Sequence, residues 1–309
     1  MEKVLLFCDP GIDDSVAIMY ALLHPGLDVV GIVTGYGNVT QEQATANAFY
    51  LLSLAGRSDI PVYAGAQFPL TGEIATYYPE IHGENGLGPI RPPIDLEGEL
   101  LNFTDLFDLI ISYPNDITII DVGRLTSLSI AYILGEETMG RVKQVIVMGG
   151  AFFVPGNVSP VAEANFIGDP VAANLIMERA RPLTVVPLNV TSYSVVTDEH
   201  IRAITDRYYN PFTPFIQPIY QYYATAYSAL IPGLEGALFH DVLAVMALVH
   251  PEMFQMMKRD VSVSIAPLTR GQSVADFRPF APEGELKIAV DFQYPTFIQS
   301  FIQVLRREL

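Results

Sequence analysis

The sequence predicts an α/β protein, with an open, mainly parallel sheet and helices on both faces. Three observations carry this expectation. Short apolar runs of strand length alternate with longer segments of helical period from the N-terminus onward, as in parallel βαβ units. Several runs are apolar throughout, the composition of strands covered on both faces. Capping and turn residues stand at the joins.

The elements follow in order. Val4 to Cys8 is the first strand, and Asp13 to Leu23 is a helix that stops at the turn His24 to Gly26. Val29 to Thr34 is the second strand. In the next helix Thr40 and Gln43 fit a capping box, and Gly56 fits the stop. Pro61 to Ala64 is a third strand. From Ala66 to about Asn102 the chain is rich in Gly and Pro and has no period; a loop of this length is more often functional than idle. Alternation then resumes: helix Asp105 to Ser112, strand Ile117 to Ile120, helix Leu125 to Leu134, strand Val142 to Met148, helix Asp169 to Arg179, strand Leu183 to Val186. Asp198 to Val249 reads as largely helical with irregular joins. Val261 to Ile265 and Leu286 to Phe292 read as strands, and Pro295 to Arg307 as a closing amphipathic helix. With no internal repeat and no evident linker, residues 1–309 are expected to form a single domain.

Composition narrows the function. The net charge is −17, so nucleic acid and anionic membrane are not expected partners, whereas a small neutral substrate is compatible. Cys8 is the only cysteine, which removes an intramolecular disulfide and any cysteine-based metal site. No stretch reads as a signal peptide or a membrane span. A cytoplasmic protein is the expectation.

The chemistry is suggested by acids at a strand end. "FCDPGIDD" places Asp9, Asp13 and Asp14 within six residues around a Pro-Gly turn. One acid in a first helical turn is ordinarily a cap. Three repel one another unless something positive lies among them, and a hard divalent cation such as Ca²⁺ or Mg²⁺ suits such oxygen ligands. Far along the chain, "FHDVLAV" sets Asp241 after His240, where a helix N-cap is the plainer alternative. There is no GxGxxG after the first strand and no GxxxxGK[ST] anywhere. An aspartyl phosphatase would want an acid where Gly11 stands, and no basic cluster awaits a phosphate.

Taken together, the motifs resemble the inosine–uridine-preferring nucleoside hydrolase family. "FCDPGIDD" matches its D-x-D-P-G-x-D-D. "YGNVT", "IHGENGLG", "VGRLTSLSIA", "VIVMGGAF", "GNVSPVAEANFIGDPVAAN", "FHDVLAV" and "GQSVADFR" follow in the family's order, from Val4 to the final helix. The resemblance implies Ca²⁺-dependent hydrolysis of the N-ribosidic bond of a ribonucleoside. Preference would be broad, for inosine and uridine, or for pyrimidines, since a histidine precedes Asp241. It implies a Ca²⁺ held by Asp9, Asp14, Asp241 and the main-chain carbonyl of Val122. Asp9 would be the general base and His240 the acid or hydrogen-bond partner for the leaving base, histidine being able to hold a proton near neutral pH. Asp13 is assigned to the ribose 2′-hydroxyl, and Asn157, Glu163 and Asn165 to the ribose. Asn38 is a further substrate-binding position, and His82 is read as a binding residue on a mobile lid over the base. Tyr223 and Tyr227, four apart on a helix, share a face that would contact the base. A homodimer or homotetramer is the assembly implied.

One position departs from the family. Phe7 stands where the motif has its first Asp. Strand alternation predicts Phe7 on the same side as Asp9, close to the cation, where an apolar ring would weaken binding. The alternative reading is therefore a non-catalytic or weakened nucleoside- or ribose-binding homologue.

Overall fold

A computed structural model describes residues 1–93 and 98–308. The predicted class is observed. Among the described residues nine strands form one sheet, in the order 254–259, 286–292, 183–186, 144–148, 117–121, 2–8, 27–34, 62–64 and 100–101. Neighbouring strands are parallel except Phe254–Arg259, which runs antiparallel to Leu286–Phe292.

Alternation along the strands separates two cores. Val4, Leu6 and Cys8 share one face with Ile120, Ile146 and Met148, beneath helices Ile12–Leu23, Thr213–Leu230, His240–Val249 and Tyr294–Leu305. Leu5 and Phe7 share the other face with Ile119, Val145, Val147 and Val185, covered by helices Leu106–Ser112, Thr126–Leu134 and Pro170–Arg179. Burying a side chain such as Phe7 is worth about 1.5–3 kcal/mol.

Helix ends obey local chemistry. Asp14, at the third position of helix Ile12–Leu23, accepts from the Gly11 N–H at 3.3 Å. The helix stops at His24, which is extended (φ −76°, ψ 122°) because Pro25 follows it. Thr40 caps helix Gln41–Leu54 through Gln43 N–H at 3.2 Å.

Most expected elements differ only at their ends. The strand expected over Val142 to Met148 begins at Gln144, and the one ending at Ile120 runs on to Asp121. The stretch from Ala66 to Asn102 contains a short helix, Pro79–His82, and the edge strand Leu100–Leu101; residues 94–97 lie outside the described residues. Val261–Val263 is a strand, but it pairs with Ser273–Ala275 outside the main sheet. The edge strand Phe254–Arg259 was not expected. It carries polar and charged residues, as an edge does, and so does not read as an apolar run.

From strand Glu2–Cys8 the sheet is extended on one side by 27–34 and on the other by 117–121. Strand order reverses here, so the crevice beyond the carboxyl ends of these strands is where such a sheet offers a ligand site.

Candidate active site

A cleft of about 690 Å³ opens at this crevice. Of the thirteen expected site residues, eleven line it: Asp13, Asn38, His82, Val122, Asn157, Glu163, Asn165, Tyr223, Tyr227, His240 and Asp241. Asp9 and Asp14 are buried and do not line it.

The acids are engaged to different degrees. Asp14 accepts from Asp9 N–H at 3.0 Å and from Asn38 Nδ2 at 2.8 Å, besides Gly11. Asp9 accepts from Asn38 N–H at 2.8 Å. This approach requires Gly37, where a Cβ would lie 1.4 Å from Asp9 Oδ2. Asp13 Oδ2 accepts from the His240 N–H at 3.0 Å, while its Oδ1 is buried without a partner. Asp14 therefore serves as the ordinary cap, but Asp13 retains an unspent oxygen aimed into a polar site.

Burial dominates the electrostatics. It pushes Asp9, Asp13 and Asp241 well above the usual carboxylate range, with Asp14 raising all three and Asp13 adding to Asp241. Burial also raises Glu163, although Asn165, Gly150 and Phe166 N–H groups offset part of this. Such a cluster is unfavourable without a cation. Among the described residues no three Asp, Glu, His or Cys side chains converge at metal-ligand spacing. Oxygens of Asp9 and Asp14 are held instead by N–H donors. The all-oxygen donor set of Asp9, Asp14, Asp241 and the Val122 carbonyl still suits a hard cation.

Val122 lies at the turn after strand Ile117–Asp121. Gly123 N–H donates to Asp121 Oδ1 at 3.0 Å. In a trans peptide the carbonyl points opposite to the N–H, so this bond turns the Val122 carbonyl towards the cleft, where it accepts from Asn165 Nδ2 at 2.8 Å. Asp121 was not among the expected residues. It is fully buried, its Oδ2 has no partner, and it pairs in register with Phe7. Phe7 itself packs in the lower core and does not line the cleft. The expected proximity of Phe7 to the cation thus gives way to a core position. Asp9 lies past the last strand residue, Cys8, where strand alternation no longer governs direction.

Beside Asp13 runs a hydrogen-bonded chain of polar side chains. His240 Nδ1 and Thr191 Oγ1 are 2.9 Å apart, and His240 Nε2 and Tyr227 Oη are 2.9 Å apart. Tyr223 packs edge-on against Tyr227, with ring centroids 4.9 Å apart. Burial lowers His240 to about 4, so the imidazole is neutral at pH 7 rather than holding a proton there. Thr191 carries no sequence signal; it lies 49 residues from His240 and joins it only in space.

His82 ends the short helix Pro79–His82. Its Nδ1 accepts from Ile12 N–H at 3.1 Å, and its ring lies 5.5 Å from that of Tyr223. Burial, with Arg124 adding, lowers it to about 3. The expected lid residue is therefore anchored to the first helix. Asn157 is exposed on the opposite rim and accepts from Ala164 N–H at 3.0 Å. Asp169, not singled out from sequence, ties the wall together: it accepts from Leu70 N–H, Thr126 Oγ1 and Ala172 N–H. Among the described residues no helix is long and apolar enough to cross a membrane.

Comparison with known proteins agrees with this geometry. The family model described as inosine-uridine preferring nucleoside hydrolase matches residues 4–299. The chain is 32% identical to the inosine-uridine preferring nucleoside hydrolase of Crithidia fasciculata, over 99% of this chain and 98% of that one. It is 34% identical to uridine nucleosidase 1 of Arabidopsis thaliana, over 89% of this chain and 82% of that one. A purine-preferring ribonucleoside hydrolase from Gardnerella vaginalis superposes with a TM-score of 0.91 at 29% identity, covering 99% and 98% of the two chains.

Proposed function

This chain belongs to the inosine–uridine-preferring nucleoside hydrolase family, and on that premise we propose that it hydrolyses the N-ribosidic bond of uridine and inosine with the help of Ca²⁺. The observation that carries the reading is a cleft whose lining suits the two halves of a nucleoside. The same cleft is lined by carboxylates and amides, which suit a ribose, and by tyrosines and an imidazole, which suit a base.

In this reading Asp9, Asp14, Asp241 and the Val122 carbonyl hold the cation. When bound, Ca²⁺ supplies an electropositive centre for the ribose diol and for lowering the pKa of a water. Everything else is work for the side chains. Asp13, fixed through Oδ2 by the His240 N–H, has Oδ1 free to accept from the 2′-hydroxyl. Glu163, Asn157 and Asn165 orient the remaining hydroxyls, since a polyol demands several directed hydrogen bonds. Asp9 is the general base; its raised affinity for a proton brings it nearer to working pH. The sugar acquires oxocarbenium character as the bond breaks, and the surrounding carboxylates stabilise it. The departing base takes a proton from the Tyr227 hydroxyl, and solvent water entering the open cleft returns one to the Tyr227–His240 pair, with Thr191 setting the imidazole. Because His240 is neutral, it acts by relaying a proton rather than storing one.

The second reading, a weakened or non-catalytic homologue, is motivated by Phe7. The core position of Phe7 and the presence of Asp121 beside it support the active reading. Ribose release from uridine, inosine and cytidine, with Ca²⁺ or with a chelator, tests the choice. We expect release that the chelator abolishes. No ribose from any nucleoside in added Ca²⁺ would refute the proposal, and a large gain by Phe7→Asp would favour the weakened homologue.

A further inference from the structure

Arg124 has no part in the reading above, yet it is hydrogen-bonded to Asn165 in the cleft wall. It follows Val122 and Gly123 in the turn after strand Ile117–Asp121 and is only 6% exposed. Nη1 donates to Asn165 Oδ1 at 2.8 Å, and the guanidinium lies over the Tyr78 ring, 5.8 Å from its centroid. Among the described residues it makes no ion pair. A desolvated guanidinium is costly unless its surroundings compensate it.

Its seat is built for it. Gly168, at the end of the short helix Ala164–Gly168, has no Cβ; one there would lie 2.3 Å from Arg124 Cδ and 2.4 Å from Nε. A Cβ at 168 would force the arginine stem to shift. Arg124 is also placed where it matters: the preceding residue, Gly123, packs on Asp9, where a Cβ would lie 3.2 Å from Oδ1, and the arginine's hydrogen-bond partner Asn165 belongs to the helix that Glu163 caps.

We propose that Arg124, seated in the notch left by Gly168, is a built-in counter-cation of the acidic site. It partly neutralises the buried carboxylates in the cation-free protein and holds divalent-cation affinity below what those carboxylates alone would give. Its bond to Asn165 orients an amide whose Nδ2 reaches the Val122 and Met148 carbonyls. The charge, however, is what the site uses. A fixed positive charge stabilises an empty acidic cluster and repels an arriving cation, because both interactions occur in a poorly screened interior. The inference rests on the divalent-cation reading of the site.

The test compares the wild type with Arg124→Gln and Arg124→Lys, which differ in charge but little in length. Ca²⁺ affinity is measured by titration calorimetry, and melting temperature is measured in chelator. The Gln form is expected to bind Ca²⁺ at least tenfold more tightly than the wild type and to melt below the Lys form in chelator. The Lys form should stay within threefold of wild-type affinity. An arginine that only props up the fold would lower stability and weaken Ca²⁺ binding together. Equal or weaker Ca²⁺ binding by the Gln form than by the Lys form would overturn the inference. So would failure of both forms to fold, since shape rather than charge would then be required. If the wild type binds no Ca²⁺, the cation-site reading falls. The melting comparison then judges the counter-charge alone, and equal melting of the Gln and Lys forms would overturn it.

Discussion

Replacing Tyr227 by Phe removes one oxygen and leaves the ring, so it isolates the relay from the packing. The Tyr227 hydroxyl lies 2.9 Å from His240 Nε2, and both residues are buried. With His240 at about 4, about one imidazole in a thousand is protonated at pH 7. Protonating the ring there is about 3 kcal/mol harder than in water. In the proposed mechanism a proton for the leaving base would then pass through the hydroxyl–imidazole pair. Its loss should cost on the order of 10²–10⁴ in kcat, the usual worth of a positioned acid. The value of KM for uridine should change by less than about threefold, because the ribose contacts are untouched. Leaving His240 Nε2 unpaired should lower stability by about 1–3 kcal/mol. The assay is steady-state hydrolysis of uridine beside a riboside of p-nitrophenol, whose anion leaves without a proton. The variant should keep most of its activity on the second substrate, and Tyr227→Phe/His240→Ala should be no slower than His240→Ala. Wild-type kcat on uridine, equal losses on both substrates, or additive losses in the double variant would refute the relay.

Two further outcomes follow from the site. Asp121→Asn keeps an acceptor for the Gly123 N–H, whereas Asp121→Leu strands it. The Asn form should bind Ca²⁺ within about threefold of wild type, and the Leu form at least about tenfold more weakly, with about 1–3 kcal/mol lost in chemical denaturation; undiminished affinity in the Leu form would mean that this bond does not aim the Val122 carbonyl. The second concerns pH. Asp9, Asp13 and Asp241 have folded pKa values raised by burial, so the folded protein binds more protons than the unfolded one above about pH 4, and stability falls as pH rises through that window. His240 and His82 are lowered to about 4 and 3, so they act oppositely, but only below their ordinary value of 6.5. In chelator the melting temperature of the wild type should therefore fall relative to that of Asp13→Asn as pH rises above about 4, a comparison in which the histidines cancel; a wild type that gains on the variant as pH rises would contradict the assignment.

Much of this molecule is legible in the chain because the signals are local. A buried strand, a Pro-Gly turn and a helix start are written within Val4 to Asp14, and the acids of the turn must then lie at a carboxyl edge. The cleft residues Asn157, Glu163 and Asn165 come from one short stretch, so spacing alone keeps them together. Phe7 shows where local reasoning stops. Alternation correctly distinguishes Phe7 from Cys8, but the chain leaves the strand before Asp9, and the two side chains part company. The edge strand Phe254–Arg259 escaped notice for a similar reason: its exposure removes the apolar pattern that marks the inner strands.

The sequence by itself determined the fold class, the catalytic motifs and the expectation of a nucleoside-cleaving site, because hydrophobic period and motif order are properties of the chain. Only the tertiary structure decided which residues meet. It set Asp121 beside Phe7 through strand register, Thr191 against His240, and Arg124 in the space left at Gly168. It also decided that His240 is neutral, because a proton's affinity depends on the water and charges around a group, and folding removes the one while arranging the other.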